Sequence, residues 1–169
     1  MFREMRRIRQ LMSSERASEV LSRCSNGVLA CMGDDDYPYA VPLNYVWHDG
    51  HIYFHSAKAG HKIDAIIKTP KVSFAVIDED KIVSEEYTSY FRSVVIFGRA
   101  RIVEHDGGDG EWTAAFRALV EKYSGDQPED EKATEIAKCE RSHIIAIDVD
   151  HVTGKEAKEL LKTEAARHN

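Results

Sequence analysis

"PLNYVWHDGHIYFHSAKAGHKIDAIIK", residues 42–68, sets two apolar runs on either side of Asp49-Gly50, then a turn of small residues, then a helical pattern. An Asp-Gly pair between β-branched and aromatic runs suits a two-residue hairpin turn, because both central positions need positive φ. The spacing predicts strands near 38–47 and 51–56. Pro38 and Pro42 cannot donate ladder hydrogen bonds, which puts the first of these strands at an edge, a bulge or a mouth. After Ser56 the chain passes through Ala57-Lys58-Ala59 to Gly60-His61-Lys62, where a short helix starts. Ile63, Ile66 and Ile67 share a helical face, and Thr69-Pro70 stops the helix.

The same punctuation extends outward. Ala17, Val20, Leu21 and Cys24 recur at helical spacing. Ser13 or Ser14 is positioned to cap that helix, and Glu15 meets the positive end of its dipole. Asn26-Gly27 and Gly33-Asp34 bound a strand near 27–32. Downstream, "KVSFAVID" reads as a strand. "SYFRSVVIFGRARIVEH" reads as the longest strand, with Gly98 marking a bend or bulge. Trp112, Ala115, Phe116, Leu119, Val120 and Tyr123 form a periodic stripe, read as a core face. A more polar helix follows over "PEDEKATEIAKCE", then a last strand over "SHIIAIDVDHVTG" and a solvated C-terminal helix that frays. Strands and helices do not alternate as βαβ units. The pattern therefore implies a mainly β protein with flanking helices, an antiparallel sheet closed into a small barrel, and one domain over 1–169.

The 169 residues carry a net charge of -6, so no basic face for nucleic acid is expected. Cys24, Cys31 and Cys139 are odd in number and lack a CxxC, which argues for reduced thiols rather than a disulfide framework or a zinc site. The basic start "MFREMRRIRQLM" has no long apolar run, and no segment is apolar enough to span a membrane; a cytoplasmic protein is the expectation. Phosphate-loop, dinucleotide-fold, zincin and nucleophile-elbow motifs are all missing. His51 and His55 lie on one strand face, but no third ligand joins them at a familiar spacing, so no metal is expected. Asp34-Asp35-Asp36 reads as a solvated turn.

Residues 53–62 have two readings. One is a solvated connector. The other is an anion site, in which Ser56 offers a hydroxyl, the free N–H groups of the helix start point outward, and His61 and Lys62 supply donors and charge.

The segments "YPYAVPLNYVWHDGHIYFHSAKAGHKIDAIIKTPKVSFAV" and "SYFRSVVIFGRARIVE", with "RR…Q" near the start, resemble the pyridoxamine 5'-phosphate oxidase-like, FMN-binding split-barrel proteins. The nitroimidazole-resistance (nitroimidazole reductase) branch is the most similar. The resemblance implies a split β-barrel of antiparallel, Greek-key type. It also implies FMN as cofactor, NAD(P)H as electron donor, and a homodimer with the flavin at its interface. Val41, Pro42, Leu43 and Asn44 would lie along the isoalloxazine. His55, Ser56, Gly60, His61 and Lys62 would take the ribityl phosphate, and Ser93 and Val94 would contribute from the long strand. His55 is the candidate catalytic group, as a proton donor. His61 stands where the oxidases carry an arginine, and Asn44 where they carry a lysine. The basic C-terminal segment that holds pyridoxal phosphate in those oxidases has no match here. The implied activity is therefore a flavin reductase or nitroreductase acting on a small nitroaromatic such as a nitroimidazole. The alternative is a flavin- or haem-binding module without turnover.

Overall fold

The computed structural model describes residues 1–105 and 107–165. Seven strands form one antiparallel sheet: β1 (Asn26–Met32), β2 (Pro38–Asn44), β3 (Val46–His48), β4 (His51–Ser56), β5 (Lys71–Val83), β6 (Thr88–Val103) and β7 (His143–Glu156). Their order across the sheet is β2-β1-β5-β6-β7-β4-β3. The first and last strands of that order are consecutive in the chain, separated by Tyr45 alone. A sheet whose two edges are joined by a single residue has to curl until those edges meet. Among the described residues no ladder pairs β2 with β3, so the barrel stays split along that seam. This is why the strand expected over 38–47 is two strands: Tyr45 is the hinge that carries the chain from one edge to the other.

Tyr45 is fully buried, and its hydroxyl donates to Leu21 O at 2.7 Å. Its ring meets the edge of Phe74, and Lys122 Nζ lies 4.3 Å from its centroid. Its backbone is held from outside: Tyr45 N donates to the Tyr123 hydroxyl at 3.0 Å, and that hydroxyl faces the carbonyls of Tyr45 and Ser25 as acceptors. The Asp49-Gly50 turn is as expected, with φ of 47° and 78°. Gly98 sits at a register shift between β6 and β7, the expected bulge.

Strand alternation sorts the side chains. Leu29, Phe74 and Ile96 are cross-strand neighbours, all fully buried inside the barrel with Phe54 and Ile147. Helix α1 (Ser14–Arg23), capped by Ser13, adds Ala17, Val20 and Leu21 to this core. Helix α2 (His61–Lys68) adds Ile63, Ala65 and Ile66, while Ile67 is 68% exposed and does not share their face. Helix α3 (Glu111–Ser124) packs Trp112, Phe116 and Leu119 on the opposite side of β4 and β7, against Tyr53, Ile144 and Ala146. Helix α4 (Glu129–Lys138) lies beside it, and α5 (Lys158–Ala165) follows β7. The expected C-terminal helix thus begins later, because residues 155 and 156 still belong to β7; residues 166–169 fall outside the described residues.

Among the described residues no helix covers the outer face of β2, β1, β5 and β6. Its cross-strand rows run Pro42–Val28–Ala75–Val95 and Ala40–Ala30–Ser73–Phe97, flanked by Ile77 at 68% exposure. Phe2 stacks on Phe97 and His151 at one end of it.

A chain of alternating charges fastens α1 to the sheet. Arg23 donates to both oxygens of Asp78 at 2.7 and 2.6 Å. Arg92 bridges Asp78 at 2.9 Å and Glu156 at 3.0 Å. Arg16 closes on the fully buried Glu156 at 2.6 Å. Burial pushes the Asp78 carboxyl up, but hydrogen bonds from Arg23, Arg92 and Cys24 outweigh it and hold it at about 2.

Two outcomes follow from these anchors. Tyr123→Phe strips Tyr45 N of its acceptor, and should cost about 1–3 kcal/mol in urea unfolding while leaving the slope unchanged. Asp78 has a folded pKa below its ordinary 3.8, so its contribution is present above that value and is lost as pH falls through about 2. The stability gap between the parent chain and Asp78→Asn should accordingly be full near neutrality and narrow towards pH 2.

Candidate functional site

The seam of the barrel brings Asn44 and His55 together, while Ser93 and Val94 lie on β6 in the middle of the sheet. Along β2 the side chains alternate. Pro38, Ala40, Pro42 and Asn44 point outward and are exposed, while Val41 and Leu43 pack against the core. A ligand lying on β2 would meet the side chains of Pro42 and Asn44 but only the backbone of Val41 and Leu43. Asn44 Nδ2 donates to Ser25 O at 3.0 Å, which fixes its amide beside the β2 end.

Consecutive residues of β4 face opposite sides, so His55 and Ser56 separate. His55 is exposed on the α3 side, its ring 6.3 Å from Phe116. It shares a cavity of about 370 Å³ with Asn44; Phe116, Leu119 and Tyr123 of α3 and Glu135 of α4 form its walls. Ser56 is 5% exposed, on the barrel side of the strand.

The turn that follows opens α2. Gly60 adopts φ 134° and ψ 166°, a conformation for glycine only, and a Cβ there would meet open space. Ile63 N and Asp64 N donate to Gly60 O. No side chain among the described residues caps the helix, which leaves the N–H groups at its start aimed outward, with Lys62 beside them. His61 stacks on Tyr39 at 4.1 Å, and its Nε2 lies 3.8 Å from Asp34. The Asp34–Asp36 turn, expected to be merely solvated, therefore borders the α2 start.

On β6, Ser93 lies on the outer sheet face between Ile77 and Lys155. Val94 is fully buried in the barrel core, so only its backbone is available to a ligand. His51 is tied into structure: its Nδ1 lies 2.8 Å from Asp49 O and its Nε2 3.4 Å from Asp148. Arg101 joins Asp148 to Glu111 at 2.9 and 2.7 Å, and Glu111 accepts from Tyr53 at 2.9 Å. This network seats the first turn of α3 on β4. The Arg101 hydrogen bond holds the Glu111 carboxyl below its ordinary range.

Two groups of site neighbours escaped the sequence reading. The α3 and α4 wall over His55 was read as core face and polar helix; the polar hydroxyl of Tyr123 at the end of an apolar stripe was the available signal. Tyr39 gave no signal, since only the folded register of β1 and β2 brings it under His61.

A family model described as pyridoxamine 5'-phosphate oxidase matches residues 13–156, and the chain belongs to that family. Over 153 residues it is 29% identical to the uncharacterized protein RA0666 of Rhizobium meliloti (strain 1021), covering 88% of this chain and 95% of that one. The crystal structure of a FAD-binding protein from Mesorhizobium loti superposes with a TM-score of 0.65 at 27% identity, over 88% of this chain and 97% of the other. A 5-nitroimidazole antibiotic resistance protein, as its structure is described, from Bacteroides thetaiotaomicron superposes with a TM-score of 0.70 at 19% identity, over 86% of each chain, a likeness of fold. The split barrel and flavin-binding kinship implied by the sequence are thus found.

If a flavin phosphate sits at the α2 start, Gly60→Ala should weaken its binding measurably while shifting the unfolding midpoint little. The strain, of order 1–3 kcal/mol, is relieved by moving the turn rather than the core. Fluorescence titration of FMN alongside thermal melts checks it.

Proposed function

We propose that this member of the pyridoxamine 5'-phosphate oxidase family is an FMN-dependent oxidoreductase that reduces a small aromatic acceptor, such as a nitroimidazole, with NAD(P)H as donor. The observation that carries the reading is the uncapped start of α2 behind Gly60, with Lys62 beside it and open space in front. That donor set fits a phosphate: N–H groups at the positive end of a helix, a lysine without an ion pair among the described residues, and an imidazole at His61. Asp34 competes with the phosphate for His61, so Lys62 holds the larger share of the charge.

Bound FMN supplies the redox chemistry. The chain does the rest. β2 offers the outward faces of Pro42 and Asn44 as a rail for the ring system. The cavity beside His55 is large enough for a single-ring substrate and is walled by Phe116 and Leu119. His55 faces that cavity and delivers a proton to the substrate there.

The bare rows of β2, β1, β5 and β6 support a homodimer. An apolar sheet face of this kind marks an interaction site, and Ser93 on it would reach the flavin of the second copy.

A visible spectrum of the purified protein tests the proposal, with light scattering for the dimer. Flavin bands are expected. Lys62→Ala should bind FMN about ten- to a hundredfold more weakly, the loss of one charged hydrogen bond worth about 1.5–3 kcal/mol. An intense Soret band in place of the flavin bands would favour the haem-binding module instead. A colourless protein indifferent to FMN would overturn both.

A further inference from the structure

The basic run near the N-terminus has no part in the flavin reading. Arg6, Arg7 and Arg9 are exposed, and so is Lys158 at the start of α5. None of the four forms an ion pair among the described residues, on a chain whose net charge is -6. They are not scattered. All four line one cavity of about 340 Å³, with Gln10 among them. Arg7, Gln10 and Lys158 also line a second cavity of about 810 Å³, which reaches Tyr87 on the β5–β6 connection.

Gln10 is the independent observation. It is only 8% exposed, and its Oε1 has no hydrogen-bond partner among the described residues. A buried amide oxygen left unpaired is costly, and a native protein rarely keeps one without a purpose. The amide oxygen and nitrogen exchange places by a half-turn, so Gln10 brings both a donor and an acceptor to the lining of the two cavities. Tyr87 is 98% exposed and sits at φ 52°, a conformation that a bulky residue rarely adopts. It presents an aromatic face to solvent at the far end of the larger cavity.

We infer that Arg6, Arg7, Arg9 and Lys158, backed by Gln10, form a second ligand site that takes the diphosphate of a nucleoside diphosphate group, with Tyr87 as the platform for its base. Three guanidinium groups and an ammonium match the charge and forked geometry of a diphosphate. The α5 start adds the favourable end of its dipole. The larger cavity leaves room for a ribose between the phosphates and Tyr87. None of these residues belongs to the Gly60–Lys62 turn, so the site does not depend on the flavin reading.

Calorimetric titration tests it with three compounds: ADP, inorganic pyrophosphate and adenosine. The protein is first saturated with FMN, so that the α2 turn is blocked. ADP and pyrophosphate should bind, more weakly as salt is raised, and adenosine should not. Arg7→Ala combined with Lys158→Ala should weaken ADP at least tenfold, with thermal melts confirming that these exposed changes leave the fold intact. Tyr87→Ala should weaken ADP and spare pyrophosphate. Lys62→Ala separates the two sites: it weakens FMN and leaves ADP unchanged, and ADP binding persists even in a protein that never takes up flavin. No ADP binding at about 1 mM, the weak end of specific small-ligand affinity, would overturn the inference. So would ADP binding that the double variant leaves unchanged.

Discussion

Everything in this molecule depends on one residue crossing from one sheet edge to the other. Tyr45 alone separates β2 from β3, and those strands are the two ends of a seven-strand order. The curl of the sheet, the enclosed core and the unsealed seam all follow from that short link. Tyr45 is gripped from within by Leu21 O and Phe74, and from without by the hydroxyl of Tyr123. Helices α1 and α3 therefore meet at the hinge from opposite sides. The seam that results is also where β2, the end of β4 and the α3 wall come together around Asn44 and His55. The constraint that shapes the barrel thus also places the candidate site.

The second organising feature is electrostatic. Five charges alternate from Arg23 through Asp78, Arg92 and Glu156 to Arg16. Glu156 is fully buried, and a carboxylate there is tolerable only between two guanidinium groups. The chain of charges joins α1 to β5, β6 and β7, so the helix that supplies Val20 and Leu21 to the core cannot drift. Packing alone would let an amphipathic helix slide along the barrel mouth; directional charge pairs fix its register.

Much of this was legible in the sequence, and the reasons are local. Asp49-Gly50 needs positive φ, Ser13 needs only to precede a periodic run, and Gly98 breaks a long strand pattern; each signal acts within a few residues. The break at Tyr45 was not legible. Nothing in "PLNYVWH" distinguishes one bent strand from two, because the break is imposed by edge strands that are remote in sequence order. The site divides the same way. Gly60, His61 and Lys62 are read from a turn and a helix start. The separation of His55 from Ser56 follows from alternation once the strand is granted. The wall of Phe116, Leu119 and Glu135 over His55 belongs to long-range packing, and no spacing in the chain announces it.

Charge placement explains how an acidic protein can handle anionic ligands at all. A net charge of -6 repels phosphates at a distance, so any site must overcome that field locally. The Gly60–Lys62 turn does so with few charges and with backbone N–H groups, and Asp34 stands close enough to His61 to blunt even those. The proposed N-terminal pocket would do so with four cations that form no ion pair among the described residues, over one buried amide. The first arrangement favours a ligand that brings a large apolar surface and needs only modest help for its phosphate, as a flavin does. The second favours a ligand whose affinity resides in its charge. The two proposed anion sites differ so much in construction that they need not compete, because each would select for what the other lacks.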